Sequence, residues 1–168
     1  MSELKELKQD VMSREILAAR GDEKLLYELQ PKAFNLLLEE FRLKASSTDP
    51  LKRLEEICKT YLNFGLDNPQ TYQLMFTPIY DQAGQIRFHP EKDTAVFNYF
   101  TDCLERCLRR ELVHFKNAEI GTLQMWSLIH GLISLNLTAR IDVIGISEAH
   151  VPATLNKTVD DFLASITR

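Results

Sequence analysis

Trp126 and His130 stand one helical turn apart in the most apolar stretch of the chain, residues 123–139. An indole N–H and an imidazole on nearly the same face could hold a buried polar partner or the polar group of a small molecule. A histidine in an apolar helix can equally be a core residue with one satisfied hydrogen bond, and the residues alone leave both readings open. Cys103 and Cys107 are also one turn apart, so their thiols share a face and could meet a metal with Glu111 or Cys58. Structural zinc takes four ligands, and only two are certain neighbours here. Small thiols filling a helix contact are the better account, and no metal is expected. Arg106, Arg109 and Arg110 form a basic stripe that suits an anion or, paired with Glu105 and Glu111, a solvated face. The adjacent carboxylates Glu55-Glu56 and Asp160-Asp161 point about 100° apart on a helix and make poor acid/base partners. With no glycine-rich phosphate loop, nucleophile elbow or His-Glu-x-x-His pattern, neither an enzyme nor a bound cofactor is expected.

The elements that must position these residues read as helices throughout. Residues 2–20 are charged and weakly amphipathic, ended by Gly21-Asp22, with Val11, Ile16 and Leu17 as their apolar run. A second helix from about Glu23 to Leu43 contains Pro31, which lacks an N–H and should kink or split it. Asp49-Pro50 and Asn68-Pro69 each pair an N-cap with a first-turn proline. The first opens a helix with Leu51, Leu54, Ile57, Cys58, Tyr61, Leu62 and Gly65 on one face, and the second a short helix through Phe76. Thr77 to Pro90 reads as a loop. Helices follow over about 91–112, 118–140 and 151–166, giving six or seven in an all-α fold with no convincing strand.

Composition is consistent with one packed unit. The 168 residues are 45% apolar and carry 20 Lys and Arg against 24 Asp and Glu, a net charge of −4. That excludes wholesale disorder and a cationic nucleic-acid footprint. Three cysteines and a polar first ten residues point to a reducing, cytoplasmic setting, and no stretch reads as a membrane span.

Within residues 120–139, Ser127, Gly131, Ser134 and Thr138 fall on one narrow stripe that would let another helix approach closely. The last helix, with Leu155, Val159, Phe162, Leu163 and Ile166, offers a second apolar surface, and together they suggest a four-helix contact between two copies. An ordinary central core helix is the alternative.

The motif Trp126-x3-His130-Gly131 resembles the Trp-His-Gly motif of a C-terminal domain in TetR/AcrR-type transcriptional regulators. The run Asp49-Pro50-Leu51-x2-Leu54, Tyr61, Phe64, Asn68-Pro69-x2-Tyr72-x-Leu74-Met75-Phe76 extends the resemblance to about residues 35–140. It implies an all-α domain that binds a small apolar or amphipathic effector and dimerises through its last two long helices. Carried over by position, the implied pocket residues are Tyr61, Phe64, Tyr72, Met75, Phe76, Phe100, Trp126 and His130. Members place a three-helix DNA-binding unit ahead of this domain, and a helix-turn-helix needs a third helix to bury its shared face. Residues 1–24 read as a short or vestigial segment before a sensing domain over 25–168, so the chain is not expected to bind DNA alone. The competing expectation is a protein-interaction module without a ligand.

Overall fold

The computed structural model describes residues 2–87 and 89–168. Seven α-helices form among them: α1 (Ser2–Ala18), α2 (Glu23–Lys44), α3 (Pro50–Asp67), α4 (Pro69–Phe76), α5 (Pro90–Arg109), α6 (Ala118–Leu137) and α7 (Val151–Ile166). Helix α3 is central and packs on α2, α4, α5, α6 and α7. Leu54, Ile57, Cys58, Tyr61, Leu62 and Gly65 of the predicted face are buried, and Leu51 at its start is half-buried. Burying such side chains is worth about 1.5–3 kcal/mol apiece before entropy is counted, so this row anchors the core.

Two N-caps close as the residue types demand, the expected one at Asp49 and a further one at Asn117. Asp49 Oδ1 accepts from the Lys52 amide at 2.8 Å, and Asn117 Oδ1 accepts from that of Ile120 at 2.9 Å. Asn68 behaves otherwise. Its side chain makes no cap bond to α4 and instead donates to the Phe64 carbonyl at 2.9 Å, tying off the end of α3.

Pro31 does not split α2, which runs unbroken through it. The missing N–H would leave the Tyr27 carbonyl without its helical donor, and His89 Nε2 donates to that oxygen at 2.8 Å. The His89 ring also stacks on Tyr27 at 3.9 Å, and the Arg87 guanidinium lies 3.7 Å over the same phenol ring. Tertiary partners thus replace what the proline removes.

The expected loop 77–90 contains a small antiparallel hairpin, β1 (Ile79–Tyr80) with β2 (Ile86–Arg87). Asp81 Oδ1 accepts from the amides of Ala83 and Gln85, and Gly84 takes a left-handed φ of +75°, closing the turn by local chemistry. Two-residue strands are too short to carry an alternating pattern, so nothing in the hydropathy marks them.

Helix α1 lies antiparallel along α2, with Lys5 to Glu40, Lys8 to Glu39 and Glu15 to Lys32 as ion pairs. It adds Met12 and Ile16 to the common core, joined by Ala19 just past its end, whereas Val11 and Leu17 of the expected run are exposed. Among the described residues no helix is long and apolar enough to cross a membrane.

Candidate functional site

Helices α3, α4 and α6 each send one or two polar aromatic side chains to a common point. Trp126 Nε1 lies 2.9 Å from Tyr61 Oη, Tyr61 Oη lies 3.0 Å from Tyr72 Oη, and Tyr72 Oη lies 2.7 Å from His130 Nδ1. The direction of this relay follows from valence. An indole N–H can only donate, so Tyr61 accepts from Trp126, passes its own proton toward Tyr72, and Tyr72 donates to His130 Nδ1. Any other assignment strands a hydroxyl proton on Tyr61 or Tyr72, both 2% exposed, at a cost of about 1–3 kcal/mol. His130 is therefore neutral and carries its proton on Nε2. Burial also lowers its proton affinity below the ordinary histidine value, and burial raises both phenols well above theirs.

Around the relay the aromatic rings interlock. Phe100 meets Tyr61 edge-on at 6.1 Å, and Phe76 contacts Tyr72 at 5.0 Å, His130 at 4.7 Å and Trp126 at 6.1 Å. Phe76 also meets Phe34 of α2 at 5.9 Å. Behind it, the buried Gln30 amide of α2 donates to the carbonyls of Leu74 and Thr77, so the end of α4 is clamped to α2 beside Pro31.

The eight predicted pocket residues separate into two shells. Tyr61, Phe64, Tyr72, Met75 and Phe100 are buried, whereas Phe76, Trp126 and His130 are half-buried and form a rim. Phe64 and Met75 lie in the core without joining the relay by hydrogen bond or ring contact. Phe97, absent from the predicted set, belongs to the rim, with its ring 4.4 Å from that of Trp126. It precedes Phe100 by one turn of α5, a spacing that could have signalled it. Tyr61, Tyr72 and Phe100 of the inner set pack against one another through their rings. Open grooves lie between α3 and α7 (about 520 Å³, including Leu51 and Leu163) and between α1 and α2 (about 440 Å³, including Leu7 and Val11). None of the eight residues lines either of them.

Helix α6 buries Ala118, Gly121, Thr122, Met125, Ile129 and Ile133. The small-residue stripe falls on the opposite side. Ser127 and Thr138 are exposed, Gly131 and Ser134 are half-buried, and a side chain built at Gly131 would meet open space. Ile120, Leu123 and Leu135 flank the stripe, Leu123 with 59% of its surface in solvent. On α7 the expectation needs correcting. Leu155 and Val159, expected at a surface between two copies, are buried inside this chain with Val151, Leu163 and Ile166. That row faces α3, so its apolar area is already used, and only half-buried Phe162 of the named residues reaches the outside.

The other reactive groups are accounted for by packing. All three cysteines are buried, Cys103 Sγ donates to the Pro50 carbonyl at 3.4 Å, and burial pushes the Cys58 thiol up. No cluster of three metal-ligating side chains occurs among the described residues. Arg106, Arg109 and Arg110 border a shallow groove with Thr48 and Pro50 at the end of α5, where the helix dipole favours cations.

Comparison with known proteins agrees with this architecture. The model of the tetracyclin repressor-like C-terminal domain matches residues 54–162, and the chain belongs to that family. Among solved structures, a protein of unknown function from Rhodococcus sp. RHA1 superposes with a TM-score of 0.73 at 14% identity, covering 96% of each chain. A second, named "putative regulatory protein SCO4313", gives 0.56 at 18% identity over 94% of this chain and 95% of its own. At those identities the likeness speaks for the fold. No curated protein matches the chain.

Proposed function

We propose that this chain is the effector-binding and dimerising domain of a TetR-type regulator, and that it does not bind DNA by itself. The observation that carries the reading is His130. One ring nitrogen is locked into the buried relay, while the other has no partner among the described residues and sits in a rim of Phe76, Trp126 and Phe97. A single polar anchor in an aromatic surround is what an apolar or amphipathic small molecule needs for orientation. With Tyr61, Tyr72 and Phe100 buried, the ligand enters at the half-buried rim and displaces Phe76 or Trp126.

Such a displacement has a route to the rest of the molecule. Phe76 touches α2 through Phe34 and α6 through His130 and Trp126, and the outer side of α6 carries the small-residue stripe. A ligand that favours one setting of Phe76 would bias α2 and the contact between copies together, by its difference in affinity for the two settings. Residues 1–24 would then act as a brace on α2 rather than as a reader of DNA.

Native mass spectrometry of the purified protein tests both halves. The expected result is a dimer mass that retains or takes up an apolar compound, with uptake reduced in Trp126→Phe. A bare monomer that gains no thermal stability from any apolar compound would overturn the reading. The alternative, an interaction module, is favoured by Ile120, Leu123 and Leu135 lying exposed along α6. It predicts a stable complex with a different protein and no ligand at all.

A further inference from the structure

We infer that the ligand held at this rim is a neutral, largely aliphatic molecule carrying a carbonyl acceptor, a ketone or an ester, bound through His130 Nε2–H. The inference rests on the effector-binding reading above and adds the chemical class of the effector.

The direction of the relay supplies the first half of the argument. Trp126 can only donate, and that constraint passes through Tyr61 and Tyr72 to His130 Nδ1, which must accept. The proton of the neutral ring is therefore on Nε2, the nitrogen with no partner among the described residues. The rim thus offers a donor and no acceptor from this residue. A ligand donor would meet a donor, whereas a carbonyl oxygen would complete the ring's hydrogen bonding.

Charge supplies the second half. None of Trp126, Tyr61, Tyr72 or His130 makes an ion pair, and their hydrogen bonds run to one another rather than to a Lys, Arg, Asp or Glu. Among the described residues, burial is the only influence moving His130. An ammonium group would enter a ring of aromatic edges beside a fixed donor. A carboxylate would leave water for a place with no countercharge among the described residues. A neutral carbonyl loses least on entry and gains a hydrogen bond.

The test titrates the full chain with 2-decanone, decylammonium and decanoate, following the fluorescence of the single tryptophan and the melting temperature. The ketone is expected to give saturable quenching, tighter than either ion by on the order of tenfold, the effect of about one hydrogen bond. In Tyr72→Phe the ring is free to place its proton on either nitrogen, and the ketone's advantage should shrink to about twofold or less. Independently, nitrogen–proton correlation NMR of the His130 ring in the unliganded protein should show the Nε2–H tautomer. An Nδ1–H tautomer overturns the inference even if Tyr72→Phe does not fold. Equal affinity for ketone and ammonium overturns it while leaving an effector site in place. Saturable binding by none of the three removes the effector reading and this inference with it.

Discussion

His89 supplies to the Tyr27 carbonyl the proton that Pro31 cannot, 62 residues away in sequence. This bond joins the strap between α4 and α5 to the middle of α2, next to the Gln30 clamp on α4. It should be visible in a double-mutant cycle. His89→Ala is expected to destabilise the protein by about 1 kcal/mol in urea unfolding, the worth of one hydrogen bond. In a Pro31→Ala background the helix regains its own N–H, and the same change should cost clearly less. Equal costs in both backgrounds would mean that the bond does not stand in for the proline's missing donor.

Gly65 on α3 meets Ile133 on α6 so closely that an added methyl would lie 2.6 Å from the Ile133 Cδ1. Gly65→Ala gains about 1 kcal/mol of helix propensity and loses about 1–3 kcal/mol to overpacking. A net destabilisation of up to about 2 kcal/mol is expected. Combined with Ile133→Ala, which opens the space, the two changes should cost less together than their sum. Additive losses would argue against this contact as the reason for the glycine.

The lowered proton affinity of His130 has a signed consequence for stability. Between its folded value and the unfolded value near 6.5, the unfolded chain binds the extra proton and the folded one does not. The contribution is complete above about pH 6.5 and is lost as pH falls through the folded value. His130→Asn keeps an acceptor at the Nδ1 position without titrating. Denaturant midpoints measured from pH 7.5 to 5 should therefore fall less steeply in that variant than in the parent. Parallel profiles would assign the acid sensitivity to other groups.

Ser134 lies half-buried in the small-residue stripe on the outer side of α6. If that stripe is the contact between two copies, Ser134→Arg should convert a dimer to a monomer in multi-angle light scattering. Because the residue lies away from the buried row, the melting temperature of the isolated subunit should change little. A mass unchanged from the parent would remove α6 as the contact.

Much of the fold is legible because it is local. Asp49-Pro50 stops and starts helices by capping geometry, and the row from Leu54 to Gly65 repeats at the helical period, so α3 and its buried face follow from neighbours alone. The Trp126-x3-His130-Gly131 motif likewise marks the helix that carries the rim. Where two local signals conflict, the sequence misleads. Pro31 predicts a break that distant His89 repairs, and the apolar row of α7 looks available for a partner while Leu155 and Val159 are already packed within the subunit. Periodicity identifies an apolar face without saying which helix covers it.

By itself, then, the order of residues determined the all-helical class, most helix boundaries and the identity of the polar aromatics, because capping, proline and period act over a few residues. Only the folded chain decided that Trp126, Tyr61, Tyr72 and His130 form one directed line, and that Phe97 joins them. Those contacts span up to 65 residues, and the distances and donor valences that set their direction exist only once α3, α4, α5 and α6 have packed.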